Sequence, residues 1–330
     1  MNRHPAYWKA YHASRMNDRS YIFKLILHFV ETLGSPWRTS KHGIKPKFMP
    51  KEHAAICIYM RYFNYSYRDA EGSIPALISR TIDHSTIGWA MQRISADYIT
   101  RALKLLHVEI RKLLRDGVYI ADSTGIETDR YEDATIVLED VRKREFRKLH
   151  VITEYFHGHG IISIACAGES LGHAHDSPAF RHIFDPEVCR DGLLLGDSAY
   201  DALNNFKLAY ENNLHLVIKL RDIPHSSRTK GIRIRRKVAA RFSKELYKKF
   251  RGIVESVFGG LETRYGNRTR CRLEHTRRVS IMLMALAHNI RAYARAIALV
   301  EIVRKEELVS CEFYFLFDLF DNPLLSVKFI

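Results

Sequence analysis

The sequence lacks any paired-cysteine motif. Its five cysteines, Cys57, Cys166, Cys189, Cys271 and Cys311, are scattered and odd in number. That excludes a cysteine-based zinc module and a disulfide-stapled scaffold, and it points to a reducing compartment. His173 and His175, and the HGHG stretch from His157 to Gly160, have no second ligand pair at matching spacing, so they read as loop histidines. The opening MNRHPAYWKAYHASRMN has no apolar run before a cleavage site, so no signal peptide is expected. The apolar segment from Val279 to Val300 is interrupted by His288, Asn289, Arg291 and Arg295, which suits a buried amphipathic helix better than a membrane span. No internal repeat is visible. Acids are also scarce: 37 Asp and Glu stand against 52 Lys and Arg, a formal net charge of +15. An excess of that size points to a polyanionic partner, nucleic acid first and an anionic membrane surface second. With 330 residues, 46% of them hydrophobic, the chain can build one large or two ordinary domains.

Residues 1 to about 105 read as helical. Ser20–Leu33 and Lys51–Phe63 have helical apolar spacing, separated by the Gly- and Pro-containing GSPWRTSKHGIKPKFMP. Ser66 can cap a short helix with Ile74 and Leu77 on its apolar face. Ser85 is the expected N-cap of a further helix that turns Ile87, Met91 and Ile94 inward. Helix, short turn and capped helix outline a helix-turn-helix, with Ser85, Thr86, Gln92 and Arg93 on the element expected to read a DNA groove. ADYITRALKLLHVEIRKLLRDG then links to the second half.

From Gly117 the pattern changes. GVYIADSTGIETD, REFRKLHVITEYF and GIISIACAGES read as three strands that can form an antiparallel meander. DSPAFRHIF reads as a helix with Ser177 as N-cap and Pro178 at its first position. DGLLLGDSAY is a strand, DALNNFKLAYENN a helix and LHLVIKL a strand. The later strands need crossovers and should lie parallel to the first, giving a mixed sheet with helices on both faces. That order matches the ribonuclease-H-like fold. The expected division is a helical DNA-binding domain over 1–105, an α/β catalytic domain over 106–300, and an apolar tail over 301–330 whose placement is left open.

Asp122 lies in the first strand of this sheet and Asp197 at the exit of the fourth. In a ribonuclease-H-like sheet those strands are neighbours. Adjacent carboxylates repel unless a cation sits between them, and hard divalent magnesium or manganese suits their oxygens. Glu255, in FRGIVESVFGGLE, is the expected third acid. Phe250, Val254, Val257, Phe258 and Leu261 give its helix an apolar stripe, and Arg251, four residues before Glu255, is expected to orient it. Three such acids support two-metal phosphoryl transfer. Taken singly, Asp122 also reads as a turn former, Asp197 as a helix cap and Glu255 as half of a surface ion pair. His175–Asp176 reads first as a capped turn and second as a substrate contact. The basic run from Arg228 to Lys249, including Lys230, Arg233, Arg235, Arg236 and Lys237, is expected to meet a DNA backbone rather than only solvent.

The pieces ADSTG, HDSPAF, LGDSAYD and RGIVESVFGGLETR resemble the DDE transposases of prokaryotic insertion sequences, in their fourth/fifth-group superfamily. SYRDAEG with DHSTIGWAMQRI is similar to the helix-turn-helix of that family, and MALAHNIRAYARA to its closing helix, so the resemblance covers roughly residues 50 to 297. It implies a ribonuclease-H-like core and a magnesium-dependent triad, with Mn²⁺ able to substitute, falling on Asp122, Asp197 and Glu255. It also implies double-stranded DNA as partner, cleavage at the element's ends, joining of the freed 3′-OH to target DNA, a homodimer in the DNA complex, and a cytoplasmic, nucleoid-associated protein. Two positions depart from the family's pattern. Lys248 stands where a tyrosine is usual, and Glu262 where a lysine is usual. The end-binding role then passes to Arg264, Arg268 or Arg270, and Glu262 becomes a rival third acid. A ribonuclease-H-like nuclease and a DNA-binding transposase remnant are the alternative readings.

Overall fold

The computed structural model describes residues 4–16, 19–39, 46–115, 117–128, 136–138, 141–143, 146–221, 232–269 and 271–321. The N-terminal region is helical: α1 (Tyr7–Met16), α2 (Arg19–Leu33), α3 (Pro50–Phe63), α4 (Tyr67–Ser73), α5 (Pro75–Ile78), α6 (His84–Arg93) and α7 (Ala96–Leu114). Local chemistry sets the ends. Pro50 opens α3, where a missing N–H costs nothing, and Asn64 ends it in the left-handed region that asparagine tolerates. Ser66 caps α4 as expected, accepting from the Asp69 amide while Asp69 reaches back to the Ser66 amide.

Ser85 does not cap α6. The helix starts two residues earlier than that cap implies, and Asp83 is its cap, its carboxylate accepting from the Ser85 amide at 2.7 Å. A charged acceptor meets the positive helix end better than a hydroxyl does. The inward face is as expected, with Ile87, Met91 and Ile94 buried.

The sheet follows as β1 (Val118–Glu127), β4 (Phe146–Phe156), β5 (Ile161–Leu171), β6 (Gly192–Gly196) and β7 (Leu214–Ile218), with a small hairpin of β2 (Ile136–Leu138) and β3 (Val141–Lys143) inserted after β1. Its order is β5-β4-β1-β6-β7. β1, β4 and β5 form the antiparallel meander, while β6 and β7 lie parallel to β1. This is the expected mixed sheet. The hairpin has no counterpart in the sequence reading. Parallel pairing forces crossovers, supplied by α8 (Asp176–Ile183) and α9 (Leu203–Glu211).

One sheet face meets α8 and α9 through Tyr119, Ala121, Ile152, Phe180, Leu194 and Phe206. The other meets α11 (Lys244–Phe250) and α12 (Ile253–Tyr265) through Ile120, Val151, Leu195, Phe250, Val254 and Val257. Between the β7 and α11 regions lies α10 (Ile232–Ala240). The second core runs without a break into α2, α3, α6 and α7. The closing helix α13 (Glu274–Asp321) packs on α1, α3, α7 and β5. Its segment Val279–Leu299 is largely buried, as the interrupted apolar pattern implies. Asn289 fixes it to the sheet: its amide accepts from Ile164 N at 2.7 Å and donates to Ile164 O at 2.8 Å, pairing the edge strand β5. The backbone of 301–321 continues this helix. No helix among the described residues is long and apolar enough to cross a membrane.

Candidate active site

The parallel ladder of β1 and β6 ends with Ile120 opposite Leu195. Two residues further, both chains carry an aspartate, Asp122 and Asp197. Strand alternation turns Asp122 to the same face as Ile120, the face on which α11 and α12 pack. Arg251, at the α11–α12 junction, reaches both acids. Its Nη1 lies 3.1 Å from Asp122 Oδ2 and its Nη2 3.9 Å from Asp197 Oδ2. Asp122 is 16% exposed and Asp197 41%. Burial pushes the Asp122 carboxyl above its usual range. Arg251 and the Ser123 amide oppose that rise, and the neighbouring Asp197 charge adds to it.

Asp197 has a structural task as well. Its Oδ1 accepts from the Ala199 amide at 2.8 Å and caps the 3-10 turn Ser198–Tyr200. Tyr200 folds back under the strand exit. A β-carbon on Gly196 would stand 3.0 Å from its ring, so the glycine makes room for it. The Tyr200 hydroxyl is pushed far up by burial first, and then by Asp122, Asp176 and Asp197.

Asp176 belongs to a second group. Ser123 Oγ donates to its Oδ1 at 2.9 Å, Lys148 Nζ lies 3.2 Å away, and His150 Nδ1 lies 3.6 Å away. His150 pairs with Ser123 and Lys148 with Gly125 across β1 and β4. The period-two spacing of Lys148 and His150 was the signal for this cluster, and the sequence reading missed it. His175 is the N-cap of α8, without a side-chain bond. Ser177 therefore does not cap the helix. Its hydroxyl instead accepts from Arg181 at 3.1 Å and Asn205 at 3.0 Å, and Pro178 falls in the first turn rather than at its first position.

Glu255 lies in the first turn of α12, on the acid-bearing side of the sheet, and is exposed. The expected Arg251–Glu255 pairing is not formed. α11 ends at Phe250 and α12 starts at Ile253, so the two residues do not share one uninterrupted helix, and Arg251 turns to the aspartates. Glu262, two turns on, is also exposed. Among the described residues, only Glu71, Asp83 and His84 bring three ligand atoms within 4.8 Å of one another. The carboxylates of Asp122, Asp197 and Glu255 are more widely spread than that.

The expected DNA contacts fall into three groups. Ser85, Gln92 and Arg93 are exposed on α6, and Thr86 is half-buried. Arg93 stacks 4.5 Å from the centre of the Trp89 ring. Arg233, Arg236 and Lys237 are exposed on α10, whereas Arg235 is held by the buried Asp201 and by the Arg221 carbonyl. Arg268 pairs with Glu127 at 3.0 Å and closes a bridge beside β1. Arg264 is half-buried on α12. Arg228, Lys230 and Arg270 lie outside the described residues.

The residues suit a divalent cation. Two carboxylates stand side by side at strand exits, one of them open to solvent, and the gap between them already holds a positive group. That group is incompletely satisfied: Arg251 Nε is buried without a hydrogen-bond partner, while Nη1 meets Asp122 as an ion pair at 3.1 Å. Hard oxygens in that arrangement match magnesium or manganese rather than softer ions.

The acid pair thus stands at the exits of adjacent parallel strands in a mixed five-stranded sheet. The family model described as transposase DDE domain matches residues 114–290. The match spans more than half of the chain, and the chain belongs to this family. Among solved structures, it is similar to a piggyBac transposase, seen by cryo-EM in a synaptic complex with hairpin DNA. That similarity has 8% identity, covers 97% of this chain and 83% of that chain, and has a TM-score of 0.41. No curated protein matches the chain.

Proposed function

We propose that this transposase binds the ends of its own insertion sequence, cleaves the strands there and joins the freed 3′-OH ends to target DNA. The observation that carries the reading is the placement of Asp122 and Asp197 together on the α12 side of the sheet, with a single guanidinium between them. Asp122, Asp197 and Glu255 would hold Mg²⁺, or Mn²⁺ in its place. Such an ion, when bound, stabilises charge on the phosphoryl oxygens in displacement. Burial raises the Asp122 carboxyl and the Arg251 guanidinium opposes that rise, so a cation that took the place of Arg251 would favour the same charged form. Arg251 releases the acids and becomes free to hold a phosphate of the bound strand. Tyr200 keeps the turn beneath the acids rigid, and Ser198 and Ala199 leave a DNA strand room to approach.

In this reading the helices of 1–105 form the end-recognition domain, with α4 to α6 as the helix-turn-helix, and 106–300 performs the chemistry. The exposed cations of α10 track the DNA backbone. His175 and Asp176 act from the neighbouring face: Asp176 holds Ser123 and thereby the strand position next to Asp122. Bringing two element ends together calls for a homodimer on DNA, in the cytoplasm at the nucleoid.

One observation favours a second reading. Glu262 is exposed and acidic where the family pattern has a lysine, which suits a copy that binds DNA but joins strands poorly. The test is incubation with Mg²⁺ and duplexes carrying the element's ends. Cleavage followed by joined products is expected. Cleavage alone would support a nuclease, and binding with neither product a remnant.

A further inference from the structure

Four arginines from three helices converge where α1, α3, α12 and α13 meet. Arg291 Nη1 donates to the Tyr265 hydroxyl at 3.1 Å, its Nη2 donates to the Tyr62 carbonyl, and its guanidinium lies 3.9 Å from the centre of the Tyr62 ring. Arg295 Nη1 donates to the Tyr7 hydroxyl at 3.1 Å, and its guanidinium lies 4.9 Å from the centre of the Tyr11 ring. Arg15 Nη1 donates to the Tyr11 hydroxyl at 2.7 Å. Arg264 has neither a hydrogen bond nor an ion pair among the described residues. Two cavities of about 220 and 200 Å³ share Arg264, Arg291 and Arg295 in their walls, and Arg15 lines the second.

The electrostatics of this corner are one-sided. The charges acting on Tyr62 are Arg291, Arg264, Arg15 and Arg295, in that order. Arg291 is pushed down by burial, with Arg264 and Arg15 adding to the effect. His288, which lines the first cavity, is pushed down to about 4 by burial, and Arg295, Arg291 and Arg264 work in the same direction. Tyrosine rings and hydroxyls soften the repulsion but do not neutralise it. Guanidiniums arranged around an open space are the usual recognition element for an oxyanion with several acceptor oxygens.

We propose that Arg15, Arg264, Arg291 and Arg295 form a phosphate-binding site, separate from the acid pair, that takes a backbone phosphate of a nucleic-acid strand lying along α12. The position along α12 supports the strand over a small anion. Ser256, next to Glu255, lines the first cavity, as does Arg264 eight residues later. At 1.5 Å per residue that is about 12 Å of helix, or roughly three to four nucleotides at about 3.4 Å per nucleotide of one strand. This identification of the strand rests on the transposase reading; the anion site itself does not.

A free polyphosphate has the same chemistry, so the test separates the two. Thermal unfolding of the full chain is followed with inorganic tripolyphosphate, and binding of a labelled duplex by anisotropy. Tripolyphosphate is expected to raise the wild-type melting temperature saturably and to displace the duplex. Arg264→Glu should lose both effects. Arg15→Gln should weaken duplex binding about fivefold to tenfold whatever its sequence, and lower the salt slope by about one. Arg15 is exposed, so this second variant tests the site even if Arg264→Glu folds poorly. Asp197→Asn should leave all these binding readouts intact, so loss of cleavage and loss of this site are separate results. The proposal falls if tripolyphosphate gives no saturable shift, if both arginine variants bind as wild type, or if tripolyphosphate binds without displacing DNA.

Discussion

Two charged corners of this molecule are built in opposite ways. At the strand exits, one guanidinium serves two carboxylates, and the acids outnumber their cation. Where α1, α12 and α13 meet, three guanidiniums lean on tyrosine hydroxyls, rings and a carbonyl, and a fourth, Arg264, stands beside them in the same cavity walls. The first corner is short of positive charge and the second of negative charge. Phosphoryl transfer to DNA needs both kinds of deficit, a place for a cation and a place for a phosphate. α12 joins them, with Glu255 in its first turn and Arg264 in its last.

The largest expected effect is at the acid corner. Asp197→Asn should reduce strand cleavage by at least about a hundredfold, since even residues that only support metal ligands cost about 10–100-fold when lost, while duplex binding stays near wild type. Glu255→Gln should do the same, and Glu262→Gln should not. Cleavage assays on the three variants decide which glutamate completes the site, and full cleavage by Asp197→Asn would sink the assignment.

Next is the cation itself. Arg251→Ala leaves two neighbouring carboxylates without their guanidinium and should lower stability by about 2–3 kcal/mol in chelator. Millimolar Mn²⁺ should recover part of that loss, because the vacated space then favours a metal. Melting curves with and without the ion test this; a loss that no divalent ion reverses would argue against metal binding by these acids.

The arginine corner has its own pH signature. His288 titrates at about 4 when folded, against about 6.5 unfolded. The unfolded chain therefore binds the extra proton first. His288 contributes stability that is complete above about pH 6.5 and is lost as the pH falls toward 4, a change of about 3 kcal/mol. His53, His150 and His159 are also pushed down by burial and add to the same slope. His288→Gln should flatten denaturant-measured stability over that window. The smallest expected change is Glu262→Lys. Restoring the family's usual charge on an exposed turn should tighten end-DNA binding by several-fold, with a steeper salt dependence in anisotropy titrations.

Much of this architecture was legible in advance. The alternation around Asp122 and the short apolar run before Asp197 placed both acids at the strand exits, and the apolar stripe from Phe250 to Leu261 is largely buried as expected, although its helix breaks at Arg251 and Gly252. Caps were harder. Asp83 displaced Ser85 and His175 displaced Ser177, because several adjacent residues can cap and the choice depends on what else each side chain can reach. Ser177 was taken by Arg181 and Asn205, from a later turn and a later helix. The β2–β3 hairpin was missed because three-residue strands carry almost no period.

Within its own pattern, the sequence determined the order of strands and helices, the acids at the strand exits and the excess of positive charge. These depend on residue type and local period, which any stretch of chain displays. Only the tertiary structure decided that Arg251 faces the aspartates rather than Glu255, that Asp176 joins Lys148 and His150, and that Arg15 meets Arg264, Arg291 and Arg295. Arg15 and Arg291 lie 276 positions apart in the chain. No periodicity reaches that far, and such pairs meet only because buried apolar faces bring their helices together.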